Sequence, residues 1–332
     1  MVRDDEWLIA AAGVVAIEIA FGAILSLSLH YYLPPPWILY TFRALPLLFI
    51  GSIYLVFYGL FKLWRQRADN PGRALIKLAY TERRQLVVGI LAFFLAVVQL
   101  TVLTWNKVFL FHVTDFWADP YLANFDLMLF RTDPWRLTHM LPVGHTIDRL
   151  YMMWFPWLSI VFGVNLMRKP GLPKAQAGLS FFLIMGVLGV CSIFVLPSAG
   201  PIFFERVGYG THYAQLTQSL EPFAKMGADY LWEKHLGHIA DFASGISAMP
   251  SMHVAMASWT ALTMQSMSRK IAPLGWMFWA FIYFGSVYLG WHYAADGIVG
   301  SLGAIALWRA TGAVLRRRAA AHVDAPNLAP SF

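Results

Sequence analysis

Two histidines and one aspartate near the C-terminal end of the chain could carry out acid–base or nucleophilic chemistry. His292 and Asp296 are four residues apart, so on a helix they share a face, one turn apart. A carboxylate there can accept a proton from one imidazole nitrogen, which fixes the tautomer and leaves the other nitrogen as a base or nucleophile. A plain His–Asp pair at a membrane interface has the same spacing, so this motif alone leaves both interpretations open.

The second histidine, His253, comes directly after a signal for the start of a helix, Pro250 and Ser251. The free amides and the positive end of such a helix favour an anion such as phosphate. A histidine beside them could protonate a leaving oxygen. The alternative is an ordinary capping turn with an incidental histidine.

Two apolar runs, 254–267 and 271–288, separate these motifs, with a short basic turn between them. If both runs cross a membrane, the chain goes across and returns. His253, His292 and Asp296 then lie at the same membrane face, where the chemistry would act on a lipid.

The composition is that of an integral membrane protein. The chain has 332 residues, of which 58% are hydrophobic and 13% are charged, whereas soluble domains carry roughly 25% charged residues. The net charge is +7, but the basic residues cluster between apolar runs, which indicates topology signals and contact with anionic lipid rather than nucleic-acid binding. The single cysteine, Cys191, excludes an internal disulfide and a thiolate metal cluster.

We predict an all-α integral membrane protein of about eight transmembrane helices, with a six-helix catalytic core and interfacial helices on the outer face. The predicted spans are 7–29, 38–64, 85–104, 150–167, 175–196, 254–267, 271–288 and 297–314. We expect one membrane domain with four parts: accessory spans at 1–104, an interfacial segment at 105–148, the core at 149–315 and a cytoplasmic tail at 316–332.

Charge asymmetry predicts the orientation of these spans. Of the 25 Lys and Arg residues, 17 fall on the side of the termini and 8 on the other side. The positive-inside rule therefore places both termini in the cytoplasm and the two histidines on the outer face. The chain has no Asn-x-Ser/Thr sequence, which fits a bacterial inner membrane with a periplasmic active site. The sequence does not indicate an oligomeric state.

The two motifs resemble signatures of a known family. Residues 250–253, Pro-Ser-Met-His, are similar to the Pro-Ser-x-His signature of the type 2 phosphatidic acid phosphatase superfamily, and residues 288–296 resemble its signature ending in His-x-x-x-Asp. The resemblance covers about residues 145–315. It implies that His292 is the nucleophile, that Asp296 orients it and that His253 is the general acid, with no metal or cofactor.

The departures from this pattern point to one branch of the superfamily. Gly285-Ser286 stand where lipid phosphatases have Ser-Arg, and no Lys-x6-Arg-Pro signature occurs. Sphingolipid synthases, including inositol phosphorylceramide synthases, have the His-Tyr-x-x-Asp form that occurs here at 292–296. Residues 196–201 and 115–134 also resemble segments of that branch. This implies transfer of a head group from a phospholipid donor to a lipid alcohol acceptor. Hydrolysis of a lipid phosphate or pyrophosphate is the alternative.

A bound phosphate needs positive charge or hydrogen-bond donors. We predict that Arg206, which follows a Gly-Pro turn, contacts it, together with Arg136 and Ser251. Other basic residues of the outer face favour solvated interfacial positions, since such side chains commonly snorkel: Lys107, Arg131, Arg149, Lys225 and Lys234.

Two alternatives come from polar residues elsewhere. A transporter would use polar groups within spans, such as Glu18, Gln99 and Asn165; Glu18 could instead hydrogen-bond a neighbouring helix. The series His235, His238 and Asp241 could place three zinc ligands on one helical face, although no fourth ligand is evident.

Overall fold

The computed structural model describes residues 6–324, except the side chains of 47–50, 52, 54, 55, 58, 111 and 322–324. Within this range the chain is helical and contains no strand, which confirms the predicted all-α class. The long helices are α1 Glu6–Ser28, α2 Trp37–Arg65, α4 Arg83–Val113, α8 Trp154–Leu166, α9 Leu172–Gly186, α11 Pro222–Leu236, α12 Met252–Met267, α13 Ala272–Tyr288 and α14 Ala294–Asp324. The shorter helices are α3 Pro71–Thr81, α5 Asp119–Phe130, α6 Pro134–Thr138, α7 Gly144–Tyr151 and α10 Ala214–Gln218.

Four helical stretches in the described range are long and apolar enough to cross a membrane. They are Glu6–Ser28, Arg83–Leu110, Leu172–Phe194 and Ala294–Ala321. The third includes a π turn and a 3₁₀ turn that extend α9 to Phe194. Helices α12 and α13, with 16 and 17 residues, are shorter than the roughly 20 residues of an average span. The count of eight spans therefore stays a prediction.

Two helix boundaries differ from the prediction. Helix α4 continues to Val113, nine residues beyond the predicted end at Thr104, because the apolar run after Lys107 extends the helical pattern. The span predicted at 150–167 is divided between α7 and α8, and Pro156 lies in the first turn of α8. Proline lacks the N–H that a continuous helix would need at this position, whereas the first turn tolerates it.

The core of the bundle surrounds α9. This helix packs against α1, α12 and α14. Gly178 allows Trp7 of α1 to lie directly on α9, since an added Cβ would come within 2.7 Å of the indole ring. Trp259 of α12 is fully buried, and its Nε1–H donates to the carbonyl of Ala177 at 2.9 Å. The sequence between 172 and 321 therefore forms one packed unit that fixes the starts of α12 and α14 relative to each other.

Polar side chains join the first spans to this unit. The Gln99 amide donates to the Glu18 carboxylate at 2.7 Å and to the carbonyl of Phe182 at 2.8 Å. Asn165 donates to the carbonyl of Lys174 at 3.3 Å. These groups serve helix–helix hydrogen bonds, as we expected of Glu18, so the transporter alternative is not favoured.

Candidate active site

The starts of α12 and α14 bring His253, His292 and Asp296 together at one end of the bundle, which we call the site end. His253 Nδ1 lies 3.3 Å from His292 Nε2. His292 Nδ1 lies 3.4 Å from Asp296 Oδ2. Asp296 is fully buried and His292 is 5% exposed. The three side chains that the spacing predicts to meet are therefore in direct contact.

The nearest acceptor of the His292 ring is a backbone carbonyl. His292 Nδ1 lies 3.0 Å from the carbonyl oxygen of Ala248, closer than it lies to Asp296. A carbonyl oxygen only accepts, so Nδ1 carries the proton and Nε2 keeps a free lone pair. The free nitrogen is the one that faces His253. The loop before α12 thus fixes the tautomer that a nucleophilic imidazole needs.

Burial also keeps His292 neutral. It lowers the pKa of the imidazole to about 3; the hydrogen bond to Ala248 acts in the opposite direction and the charge of Lys107 in the same direction. The cause is the cost of placing an imidazolium in a desolvated site. A neutral imidazole is the form that can attack an electrophile.

The turn that carries His292 depends on two glycines. Gly290 has φ +73 and lies against Leu216, and Gly200, with φ +97, lies against the carbonyl of Trp291. A Cβ at Gly200 would come within 2.5 Å of that carbonyl oxygen. The amide of Ile202 donates to the carbonyl of Gly290 at 2.9 Å. The loop around 200 therefore packs directly on the turn and holds it in place.

Asp296 and Ser251 tie the two helix starts together. Asp296 Oδ2 accepts from the amide of Tyr293 at 2.9 Å, and its backbone carbonyl accepts from the amide of Ser251 at 3.1 Å. Ser251 is fully buried, and its hydroxyl accepts from the amide of Val254 at 3.3 Å, so it is the N-cap of α12. Its predicted phosphate contact stays a prediction.

Two buried carboxylates of α5 hold the chain on either side of this site. Asp126 accepts from the amides of Ala294 and Ala295 at 2.6 and 2.9 Å, at the start of α14. Asp119 accepts from the amides of Ala199 and Gly200 at 2.7 and 2.9 Å. It also accepts from the Tyr293 hydroxyl at 2.7 Å. Both residues immediately after His292 are therefore anchored to α5.

Sequence reasoning missed the role of these carboxylates. Asp119 and Asp126 are seven residues apart, which places them two turns apart on one face of a helix. That spacing was the available signal, but the partners are amides distant in sequence. Burial raises the pKa of each carboxyl to about 6, and the hydrogen bonds from the amides oppose that shift.

His253 is held by aromatic side chains at the end of α7 and the start of α8. Trp154 Nε1–H donates to the carbonyl of His253 at 3.1 Å, and the rings of Trp154 and Tyr151 lie 4.7 and 5.4 Å from the imidazole. Alongside, α8 and α13 enclose a groove of about 220 Å³. Its lining is Leu150, Met153, Pro156, Trp157, Ile160, Phe278 and Phe281. Two of the lining residues, Met153 and Pro156, flank Trp154 closely in sequence.

The family model of the PAP2 superfamily matches residues 128–310. This segment is more than half of the chain and contains His253, His292 and Asp296. The chain belongs to the PAP2 superfamily. Membership and the four long apolar helices support an integral membrane enzyme of the phosphatase or phosphotransferase type that acts on lipid phosphates. Neither a curated protein nor a solved structure matches the chain.

Part of the site comes from outside the segment that matches the PAP2 superfamily. Asp119 and Asp126 precede residue 128, and so does Lys107 of α4. The stem of Lys107 lies on Gly245, where an added Cβ would come within 2.5 Å of the lysine Cβ. The charge of Lys107 acts on both imidazoles. We expected Lys107 at a solvated interfacial position; in the structure it lies on α4, which continues past residue 104, and it is only partly exposed.

The two predicted arginines are engaged elsewhere. Arg206 Nη2 donates to Asp229 at 2.5 Å. Arg136 pairs with Asp133 at 3.2 Å and donates to Gln215 at 2.8 Å. Within residues 6–324 the structure gives neither arginine a contact with His253 or His292. Their part in phosphate binding stays a prediction.

The zinc alternative does not fit the structure. Helix α11 ends at Leu236, and His238 has φ 52, so the series does not continue on one helical face. Asp241 instead pairs with Lys234 at 3.2 Å. No group of three His, Cys, Asp or Glu side chains in the described residues could hold a metal ion.

Proposed function

We propose that this PAP2 superfamily member is a lipid phosphotransferase with His292 as its nucleophile. The observation that carries the proposal is the orientation of the His292 ring. Its Nδ1–H is fixed by the carbonyl of Ala248, and its Nε2 faces a second imidazole 3.3 Å away. This arrangement provides a nucleophile and an acid within reach of one phosphorus atom.

In the first half-reaction, Nε2 of His292 attacks the phosphorus of a phospholipid donor. The bond between phosphorus and the leaving alcohol oxygen breaks. His253, as the imidazolium that the bound phosphate anion stabilises, delivers its proton to that oxygen and becomes neutral. The products are a phosphohistidine and a free lipid alcohol. Asp296 Oδ2, 3.4 Å from Nδ1, stabilises the positive charge that develops on the His292 ring.

In the second half-reaction, the hydroxyl of an acceptor attacks the phosphohistidine. His253, now neutral, takes the proton of that hydroxyl, and the bond between phosphorus and Nε2 breaks. A lipid alcohol such as a ceramide or diacylglycerol gives transfer, and water gives hydrolysis. We favour transfer because 292–296 has the His-Tyr-x-x-Asp form that resembles inositol phosphorylceramide synthases. Hydrolysis of a lipid phosphate or pyrophosphate is the second candidate.

The groove beside His253 supports a lipid substrate. It is apolar and lies between α8 and α13, and its lining residues Met153 and Pro156 are close in sequence to Trp154, which contacts His253. A hydrocarbon chain in the groove would leave its head group near the imidazoles. The charge asymmetry supports a site on the periplasmic side of a bacterial inner membrane, with both termini in the cytoplasm.

The test is product analysis with purified protein in lipid nanodiscs. Phospholipids carrying labelled head groups are supplied with and without ceramide or diacylglycerol, beside a His292→Ala variant. We expect a labelled product lipid only when the acceptor is present, and none with the variant. Release of labelled free phosphate or head-group phosphate without the acceptor would favour hydrolysis instead. Product formation by the variant would overturn the assignment of the nucleophile.

A further inference from the structure

Lys107 differs from the other cations that the structure places at the site end, which are either paired with a carboxylate or, like Arg131, Arg149 and Lys225, exposed. Arg206, Arg136 and Lys234 each form an ion pair with a carboxylate. Lys107 is half-buried, and among residues 6–324 no carboxylate pairs with it. An ammonium taken out of water without a counter-ion is unfavourable, so its position needs another explanation.

The position of Lys107 is constrained by the loop that also orients His292. Gly245 has φ +95, and only glycine leaves room for the lysine stem, which an added Cβ would contact at 2.5 Å. Three residues later, Ala248 accepts the hydrogen bond from His292. One loop thus contacts both the lysine stem and the nucleophile, and the lysine lies near enough for its charge to act on both imidazoles.

We propose that Lys107 binds the phosphate group of the substrate, as the cation that faces the negative oxygens during transfer. This proposal rests on the proposed function and adds a residue that lies outside the segment matching the superfamily. A phosphate between Lys107 and the two histidines supplies the counter-charge that the protein lacks there. Charge-assisted bonds of this kind strengthen as negative charge builds on the transferring group.

The alternative is that the ammonium only helps α4 to pack. The two roles predict opposite effects on stability. Lys107→Met keeps the length of the stem and removes the charge. If the charge serves the substrate, the variant unfolds at the same temperature as the wild type or at a higher one, because an unpaired ammonium has been removed. If the lysine serves packing, the unfolding temperature falls.

The experiment compares Lys107→Met, Lys107→Arg and Lys225→Met in nanodiscs. Lys225 is an exposed lysine of α11 and serves as the matched control. For Lys107→Met we expect kcat/KM to fall on the order of 100-fold or more, with inhibition by orthovanadate, a phosphate mimic, weakened in parallel. Lys107→Arg should recover part of both, and Lys225→Met should leave both unchanged.

His292→Ala separates the two proposals. If that variant is inactive while Lys107→Met keeps wild-type kcat/KM and vanadate inhibition, the lysine proposal fails and the proposed function stands. If His292→Ala keeps its activity, the proposed function fails. A Lys107→Met variant that unfolds at a lower temperature, with kcat/KM and vanadate inhibition intact in the fraction that remains folded, also overturns the phosphate role.

Discussion

Two groups of histidines at the site end each combine neighbouring imidazole rings with an aspartate that follows in sequence, and they differ in what surrounds them. His253 and His292 have ring centroids 5.5 Å apart. In the second histidine cluster, formed by His112, His235 and His238, the rings of His112 and His238 lie 5.0 Å apart and stack. An aspartate follows each group closely in sequence, at Asp296 and Asp241.

The carboxylates distinguish the two groups. Asp296 lies 3.4 Å from His292, whereas Asp241 pairs with Lys234 at 3.2 Å. His253 and His292 also lie at helix starts, where Asp126 holds the backbone just after His292 and the Ala248 carbonyl holds the ring of His292 in place. His238 instead follows the end of α11 in a left-handed conformation. Residue type and spacing thus identify candidates, and the fixed backbone around them indicates which group can do chemistry.

The largest expected effect comes from removing the imidazole of His292. We expect His292→Ala to lower kcat on the order of 10⁴-fold or more, because the proposed covalent intermediate forms on this imidazole. Product formation is measured in nanodiscs, and thermal unfolding checks that the variant is folded. Trapping of labelled phosphate on the wild-type protein, at an acid-labile linkage absent from the variant, would identify the intermediate directly. If His292→Ala kept a kcat within tenfold of the wild type, the assignment of catalysis to the group that contains His292 would be wrong.

The next effect tests whether the support around His292 matters for catalysis. Asp126→Asn replaces one acceptor oxygen with a donor that faces an amide, at the start of α14. We expect kcat to fall on the order of 10- to 100-fold with little change in KM, by analogy with residues that orient metal ligands. Asp126 acts through the backbone beside His292, so it is a positioning residue.

Asp148 provides the matched control for this variant. It accepts from the amides of Phe223 and Ala224, each at 2.8 Å, at the start of α11. Asp148→Asn therefore loses the same kind of contact at a helix that carries no catalytic residue. We expect both variants to lose about 1–2 kcal/mol of stability, with kcat reduced only in Asp126→Asn. An equal loss of kcat in both would mean that general loosening explains the effect.

These features differ in how far the sequence could predict them. The spacing of His253, His292 and Asp296 across two apolar runs predicted their convergence, because a helical hairpin returns the chain to the same end. The all-α class followed from composition and periodicity. Both depend on local patterns or on the simple geometry of a hairpin, which sequence reasoning handles well.

Contacts between a side chain and a distant backbone group left no such pattern. Asp126 and Ala294 are 168 residues apart, and the amide that Asp126 binds carries no side-chain signal. The contact between His292 and the carbonyl of Ala248 also involves a backbone group, which no residue type in the sequence indicates. The end of α4 was misplaced because the polar residues near Lys107 suggested that the span ends there, whereas the helix continues to Val113. Such contacts are set by tertiary packing rather than by local propensity.

The pKa of His292 gives a smaller effect that depends on pH. Its folded-state value is about 3, well below the unperturbed 6.5, because burial disfavours the imidazolium. Below pH 6.5 the unfolded chain binds a proton that the folded chain does not bind. The contribution of this residue to stability is therefore present above pH 6.5 and decreases as the pH falls toward 3. Between pH 7 and 5 the loss is about 2 kcal/mol for a single group.

Thermal unfolding of the wild type and of His292→Gln at pH 7 and pH 5 measures the contribution of His292 to stability. Glutamine does not titrate, so the variant should lose less stability on acidification than the wild type. The difference between the two proteins isolates His292 from other groups that titrate in this range. Identical losses would mean that the His292 ring is more solvated than the structure indicates, and the neutral nucleophile would then need another cause.

The smallest effect is expected at the second histidine cluster. His238→Gln and His235→Gln should change kcat/KM by less than about twofold, since changes away from the site commonly cost under 0.5 kcal/mol. Activity should also survive a zinc chelator, because Asp241 is directed to Lys234 rather than to these rings. A decrease in kcat/KM of tenfold or more in either variant would show that the second histidine cluster contributes to catalysis. It would imply that the segment from α11 to α12 moves when substrate binds, since that segment contains both His238 and the Ala248 carbonyl that orients His292.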